Sequence, residues 1–67
     1  MERATVTLMS RQPKFTMVRG RLLETQSGGV FAPTPDGDFW VDGYAMAGDR
    51  VTVEYDPTDQ FCYVVCG

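Results

Sequence analysis

The chain has 67 residues, a formal net charge of −3, two cysteines and no histidine. A chain of this length forms one domain, residues 1–67, and buries only about 60% of the surface that its unfolded state exposes. An enclosed substrate pocket, on the order of several hundred Å³, leaves little room for a core. The Ser-His and Cys-His nucleophile systems both need a histidine. We therefore predict a protein that is not an enzyme, takes no small-molecule substrate and uses no cofactor.

The N-terminus and the cysteines bear on where the protein works. No apolar run approaches the roughly 18 residues of a membrane-spanning helix, and residues 1–5 lack the apolar stretch of a signal peptide. In one strand, Cys62 and Cys66 would have Cα atoms about 13 Å apart, too far for a disulfide. Two thiols without a histidine also make an incomplete zinc set. We therefore predict a cytoplasmic protein with two free thiols, no metal and no membrane partner.

Alternation of apolar and polar residues predicts short strands along the whole chain. The predicted strands are Ala4–Met9, Phe15–Val18, Arg21–Thr25, Val30–Ala32, Phe39–Val41, Val51–Tyr55 and Phe61–Cys66. Glycine, proline and aspartate separate these strands, because such residues favour turn geometry. The predicted turns and breaks are Gln12-Pro13, Gly20, Ser27-Gly28-Gly29, Thr34–Asp38, Asp42-Gly43 and Asp56–Asp59.

The fold class follows from the spacing of these elements. Short strands with turn signals about every 8–12 residues are typical of sandwiches and barrels, and closure into a barrel removes unprotected edges. We therefore predict an all-β fold, a small five- or six-stranded antiparallel barrel of SH3 or OB size. The segment Tyr44–Ala47 has room for one helical turn at most. The strand Phe61–Cys66 is apolar on both sides, which predicts a place inside the sheet.

Charge is distributed unevenly along the chain. Residues 1–21 carry five basic residues against one acidic residue, a net charge of +4. Residues 22–67 carry one basic residue against eight acidic residues, a net charge of −7. Such an asymmetry predicts a folded molecule with a basic and an acidic region, unless both are ordinary solvated faces and turns.

The acidic part suggests a protein partner with a basic surface. Carboxylates in turns and on strand faces would meet the basic groups, and an exposed aromatic ring would anchor the contact. The predicted partner-binding residues are Asp36, Asp38, Asp42, Trp40 and Tyr44. The alternative interpretation of Asp36 and Asp38 is structural, because aspartate beside a Pro-Asp-Gly turn serves backbone geometry.

The stretch Gly29–Val65 contains three characteristic runs. They are Phe39-Trp40-Val41-Asp42-Gly43-Tyr44, the run from Gly48 to Asp59, and Tyr63-Val64-Val65. In this order the runs resemble the small β-barrel that follows the catalytic domain in Mu-type phage transposases. The resemblance implies a role in DNA contact and complex assembly during transposition, without the phosphoryl-transfer chemistry of the separate catalytic domain. It also implies that basic residues face the DNA, namely Arg11, Lys14, Arg19, Arg21 and Arg50.

Three functional hypotheses follow, and in each a barrel binds a macromolecule without turnover. The leading hypothesis is DNA contact by a transposase-like accessory barrel. The second is a phage or mobile-element inhibitor whose acidic face blocks a nucleic-acid-binding host protein. The third is a barrel that binds single strands by stacking bases on rings such as Phe31 and Trp40. No oligomeric state is predicted.

Overall fold

The computed structural model describes residues 1–26 and 28–67, and only the backbone of residues 24–26. The described residues contain eight strands and no helix. The strands are β1 (Glu2–Thr7), β2 (Met9–Arg11), β3 (Lys14–Val18), β4 (Arg21–Gln26), β5 (Gly29–Thr34), β6 (Gly37–Val41), β7 (Arg50–Tyr55) and β8 (Phe61–Cys66). The segment 44–47 does not form the helical turn for which it has room. The predicted turn at Ser27-Gly28-Gly29 includes Ser27, which lies outside the described residues.

Six strands form one curled sheet in the order β1-β7-β8-β6-β5-β2. Its two edge strands, β1 and β2, are separated in the chain by Leu8 alone, so the sheet curls until its edges meet there. The Leu8 N–H donates to the Asp49 carbonyl at 2.8 Å, and the Leu8 carbonyl accepts from the Gly48 N–H at 2.7 Å. The prediction of a small all-β barrel is therefore confirmed, in a partly open form.

One pair of neighbours in the sheet is parallel. Strands β6 and β8 run in the same direction, with Trp40 beside Phe61 and Val41 beside Cys62, whereas every other described pair is antiparallel. The parallel pair arises because β7 follows β6 in the chain but lies on the far side of β8 in the sheet. Strand β8 lies between β7 and β6, as its apolar sequence predicted.

The connectivity becomes simpler when some consecutive strands are counted together. β1 to β3 then count as one bent first strand, and β4 and β5, on either side of residue 27, count as the second. Around the barrel the five strands follow the order 1-2-3-5-4 and return to 1, with the third and fifth parallel. The five strands thus form a small, partly open barrel.

Strands β3 and β4 extend beyond the barrel as an antiparallel two-stranded ribbon. With this ribbon the molecule is 44 Å long, and it measures 24 Å and 18 Å in the other two directions. Five large apolar side chains of the ribbon are between 43% and 65% exposed. They are Phe15, Met17, Val18, Leu22 and Leu23. The strands predicted here do form, but in the isolated chain they cover no core.

The core fills the inside of the curled sheet. Its buried members are Val6, Leu8, Ala32, Phe39, Val51, Val53, Tyr55 and Cys62. They alternate along each strand with outward-facing residues, as a half-buried sheet requires. Inside, the rings of Phe39 and Tyr55 have centroids 4.6 Å apart. Because the core is this small, each large member contributes a considerable part of the stability.

Replacing Leu8 by alanine tests the importance of the closure point. Leu8 is 2% exposed, so the truncation leaves a cavity between the two sheet edges and costs about 2–5 kcal/mol of unfolding free energy. Urea denaturation followed by circular dichroism measures this loss. The matched control is Leu22→Ala, at 65% exposure, which should change stability by less than about 0.5 kcal/mol. Equal losses in the two variants would contradict the assignment of Leu8 to the core.

Candidate functional site

The outer face of the barrel carries a row of large side chains across four neighbouring strands. Met9 on β2 is paired with Phe31 on β5, Phe31 with Trp40 on β6, and Trp40 with Phe61 on β8. Directly paired residues share a face of the sheet, and their chain neighbours Ala32, Phe39 and Cys62 belong to the core. The rings of Phe31, Trp40 and Phe61, hereafter the aromatic row, therefore lie side by side on the outside.

Arg11 covers one end of the aromatic row. Its guanidinium carbon lies 4.6 Å from the Phe31 ring centroid and 5.5 Å from that of Trp40, within range of a cation–π interaction. The two rings themselves meet edge to face, with centroids 6.0 Å apart. The guanidinium also contacts Asp38, with 3.3 Å between Nη2 and Oδ2. Arg11 thus places a positive charge beside aromatic rings, held by a carboxylate that leaves it partly exposed.

A shallow groove of about 380 Å³ runs beside the Trp40 ring. Its lining consists of Gly28, Gly29, Val30, Trp40, Val41, Gln60 and Phe61. Glycine is required at position 28, because an added Cβ would lie 2.4 Å from the Arg11 carbonyl oxygen. At position 29, a Cβ would touch the Trp40 ring at 3.5 Å, so a longer side chain there would cover the ring. The two glycines keep the groove open along one edge of Trp40.

The predicted DNA-contacting residues occupy three separate places. Arg11 lies beside the aromatic row, and Arg50 begins β7, where its Nη1 donates to the Thr7 hydroxyl at 3.4 Å. Lys14, Arg19 and Arg21 belong to the ribbon, with Arg19 and Gly20 at its tip. The structure therefore joins only Arg11 to the groove. Of the ribbon residues, Arg19 and Arg21 lie at the tip, and Lys14 lies at the base, where it is paired with Gln26.

The predicted partner-binding residues do not form one surface. Trp40 belongs to the aromatic row, and Asp38 binds Arg11 beside it. Tyr44 is 91% exposed in the segment between β6 and β7, and the Asp42 N–H, nearby in the chain, donates to the Cys62 carbonyl at 2.9 Å. Asp36 accepts a 2.7 Å hydrogen bond from the Tyr55 hydroxyl. Asp36 and Asp38 thus both have structural partners.

Carboxylates collect at the end of the barrel opposite the ribbon. Strands β6 and β8 begin at this end, and β1 also begins there because Glu2 is paired with Tyr55, the last residue of β7. The turns before β6 and β8 therefore lie together. We call this region the acidic end, and its residues are Glu2, Asp36, Asp56 and Asp59. The charge asymmetry of the sequence becomes a separation in space, with a basic ribbon tip and an acidic end.

Hydrogen bonds organise the turn that contains Asp56. Its Oδ1 accepts from the Thr58 N–H at 3.0 Å and from the Thr58 hydroxyl at 2.8 Å. These bonds to the ionised carboxylate hold the pKa of Asp56 below its ordinary value of 3.8. Asp59 accepts from the Gln60 N–H at 2.7 Å. Asp56 therefore stabilises the turn by hydrogen bonds to the backbone and side chain of Thr58, as aspartate commonly does in turns.

Sequence reasoning missed two parts of the outer surface. Phe61 was placed in the last strand but not in a site, because that strand is apolar on both sides and its alternation does not tell inside from outside. The alternating pattern places Met9 at the end of the first strand and gives no reason to include it in a site. The signal that identifies both is the register, which places Met9 beside Phe31 and Phe61 beside Trp40.

Comparison of the chain with protein-family models, with curated proteins and with solved structures finds no match. Within residues 1–26 and 28–67 there is no helix with the length and hydropathy to cross a membrane. In the same part of the chain, no group of three or more cysteine, aspartate or glutamate side chains is placed to hold a metal ion.

The Tyr55–Asp36 hydrogen bond makes the stability of the fold decrease at alkaline pH. Since the phenol donates to a carboxylate, the bond raises the pKa of Tyr55 above its ordinary value of 10.0. The bond contributes fully below that value, and the contribution is lost as the pH rises through the higher pKa of the folded state. We expect the unfolding free energy to decrease above pH 10. In Tyr55→Phe this decrease should be smaller, because the variant has no phenol to titrate at this position. Urea titrations across that range measure it, with Tyr44→Phe as the exposed control; identical profiles for both variants would contradict the coupling.

The two thiols differ in reactivity. Cys62 is fully buried, with Sγ 3.7 Å from the Phe39 carbonyl oxygen, and burial raises the pKa of its thiol. Cys66 is exposed. A thiol reagent such as dithionitrobenzoate should therefore modify one cysteine per folded chain rapidly and the second only in denaturant. Peptide mass mapping identifies the site, and rapid native modification of Cys62 would show that the barrel opens.

Proposed function

We propose that this chain is a non-catalytic barrel that binds single-stranded nucleic acid across the aromatic row. The observation that carries the proposal is the register-aligned set of Phe31, Trp40 and Phe61 with Arg11 at its end. The five-stranded, partly open barrel resembles the OB fold, in which the face of strands 2 and 3 binds oligonucleotides. Phe31 and Trp40 lie on those two strands in this chain.

Stacking supplies the main attraction in this proposal. Each base stacked on an aromatic side chain contributes about 1–3 kcal/mol and needs no particular sequence. Phe61 is 42% exposed and Trp40 is half-buried, so both offer ring surface beside the groove. Phe31 is buried beneath Arg11, and its role is to support the guanidinium and the Trp40 ring. Two stacked bases are therefore the expected minimum footprint.

Phosphate contacts make a smaller contribution. Arg11 lies beside the row, but the acidic end is close to it: Asp36 lies four residues before Trp40, about 13 Å along the strand, and Asp59 lies two residues before Phe61, about 7 Å. Asp59 therefore lies within the Debye length of ~10 Å at 0.1 M salt, and its repulsion weakens the attraction for phosphate. One to three phosphate contacts predict a logarithmic salt slope of about −1 to −2, at roughly −0.7 per phosphate.

Two other hypotheses remain as alternatives. The resemblance to the Mu-type barrels implies DNA as the ligand, and duplex binding would need Arg50 and the ribbon rather than the aromatic row. The inhibitor hypothesis rests on the acidic end, where Glu2, Asp36, Asp56 and Asp59 would meet a basic protein surface. Trp40 is a predicted anchor of that contact as well, so Phe61→Ala is the variant of the aromatic row that separates the inhibitor from the single-strand binder.

Trp40 is the only tryptophan of the chain, so its fluorescence reports directly on the groove. Addition of an oligothymidine of about 12 nucleotides, within the range of OB site sizes, should quench the emission in a saturable way. With a fluorescently labelled oligonucleotide, Phe61→Ala and Trp40→Ala should each weaken binding about tenfold, because each removes a stacked base. Fluorescence anisotropy at low salt measures the affinities.

Tyr44→Ala is the matched control, since Tyr44 is an exposed aromatic residue outside the row. It should bind like the unchanged protein. Three results would contradict the proposal: no binding at low salt, equal binding of duplex and single strand, or equal losses for Tyr44→Ala and Phe61→Ala. Preferential binding of duplex DNA that is weakened by Arg50→Gln would favour the transposase-like role. Binding of a basic protein that is lost in Glu2→Lys/Asp59→Lys, without oligonucleotide binding, would favour the inhibitor.

A further inference from the structure

We infer that the ribbon is a self-association surface, and that it lies along the barrel of a second copy with its basic tip against that copy's acidic end. One face of the ribbon carries Phe15, Met17 and Leu22, because Met17 is paired with Leu22 and Phe15 lies two residues before Met17. These side chains are 52%, 63% and 65% exposed. A two-stranded hairpin is marginally stable in water by itself. Covering this face would stabilise the ribbon.

The composition of this face favours protein over nucleic acid as the occupant. Base stacking uses aromatic rings, and Phe15 is the only aromatic residue of the ribbon. The remaining large residues are Met17, Val18, Leu22 and Leu23, which are aliphatic or thioether side chains. Methionine is enriched in protein–protein interfaces. The aromatic row and the ribbon therefore suit different kinds of ligand.

At the tip of the ribbon, Arg19 adopts a strained left-handed backbone conformation. Arg19 has φ of +52° and Gly20 has φ of +75°, the left-handed pair of a two-residue hairpin turn, which favours Asn-Gly. A residue with a long side chain in this conformation costs on the order of 1 kcal/mol. Arg19 and Arg21 form no ion pair among the described residues. A contact between the Arg19 charge and a binding partner would offset this cost.

The second copy supplies the complementary charge. The acidic end lies at the opposite pole of the same elongated molecule, so two copies placed side by side in opposite directions bring each tip to the other copy's acidic end. Both contacts are then identical, which gives a closed two-fold pair rather than an open chain. Charge complementarity of this kind sets the orientation of the partners.

The barrel also offers an apolar surface next to the acidic end. Phe61 and Tyr63 alternate with the buried Cys62 on β8, are 42% and 47% exposed, and follow directly on the turn of Asp59. A ribbon whose tip lies at Asp59 would place its apolar face on these rings. Phe61 belongs to the aromatic row as well, so the two contacts exclude one another at that residue.

Sedimentation velocity of the full chain without oligonucleotide tests this inference independently of the proposed function. The chain should form dimers that dissociate on dilution and on addition of salt. Arg19→Glu/Arg21→Glu and Glu2→Lys/Asp59→Lys should each raise the dimer dissociation constant about tenfold or more. An equimolar mixture of the two charge-reversed variants should regain dimers, because both contacts of the mixed pair again join opposite charges.

Two further variants guard against misfolding. Arg19→Asn/Arg21→Gln removes the tip charge while relieving the strain at position 19, and it should also weaken the dimer about tenfold. Met17→Ser/Leu22→Ser should weaken the dimer, with an unchanged circular dichroism spectrum since both side chains are exposed. A monomer at every concentration would overturn the inference, as would dimers insensitive to all four variants, or oligomers that grow without limit. Loss of oligonucleotide affinity without loss of dimers in Arg19→Asn/Arg21→Gln would assign the tip to nucleic acid instead and also overturn it.

Discussion

Closure of the sheet at Leu8 is the interaction on which the rest of the structure depends. The first strand leaves β7 and joins β5 within one residue, and the two hydrogen bonds of Leu8 to Gly48 and Asp49 hold the crossing point. The side chain fills the space between the edges. If the first strand stayed straight, β2 would not reach β5, and Arg11 would not lie over Phe31 and Trp40. The outer surface is thus a consequence of core packing.

The same bent strand separates the molecule into regions of different chemistry. Its continuation into the ribbon carries Arg19 and Arg21 away from the barrel, while the turns before β6 and β8 collect carboxylates at the other pole. Between the poles lies an aromatic surface with one arginine. A small core limits what this barrel can enclose, so the surface is the part that is free to carry function.

The sequence alone predicted the all-β class and the small barrel, because period-two alternation and turn residues are local signals. It did not predict the parallel pairing of β6 with β8, since pairing partners are set by long-range packing. In β7, where Val51, Val53 and Tyr55 alternate with polar residues, the buried face followed from the pattern. In β8 and in the ribbon the pattern did not predict the buried face, because both faces of these strands are apolar. Arg11, Trp40 and Asp38 were named as site residues, but for different ligands, and only the register placed them together.

Amide chemical shifts test most directly whether the aromatic row binds single-stranded nucleic acid, as we propose. In a nitrogen-15-labelled sample titrated with oligothymidine, the account predicts that the largest shifts fall on Arg11, Gly29, Trp40 and Phe61 and on the tryptophan indole. The amides of Glu2, Asp36 and Asp56 at the acidic end should shift little. Shifts concentrated at the acidic end, or spread evenly over the chain, would contradict the account.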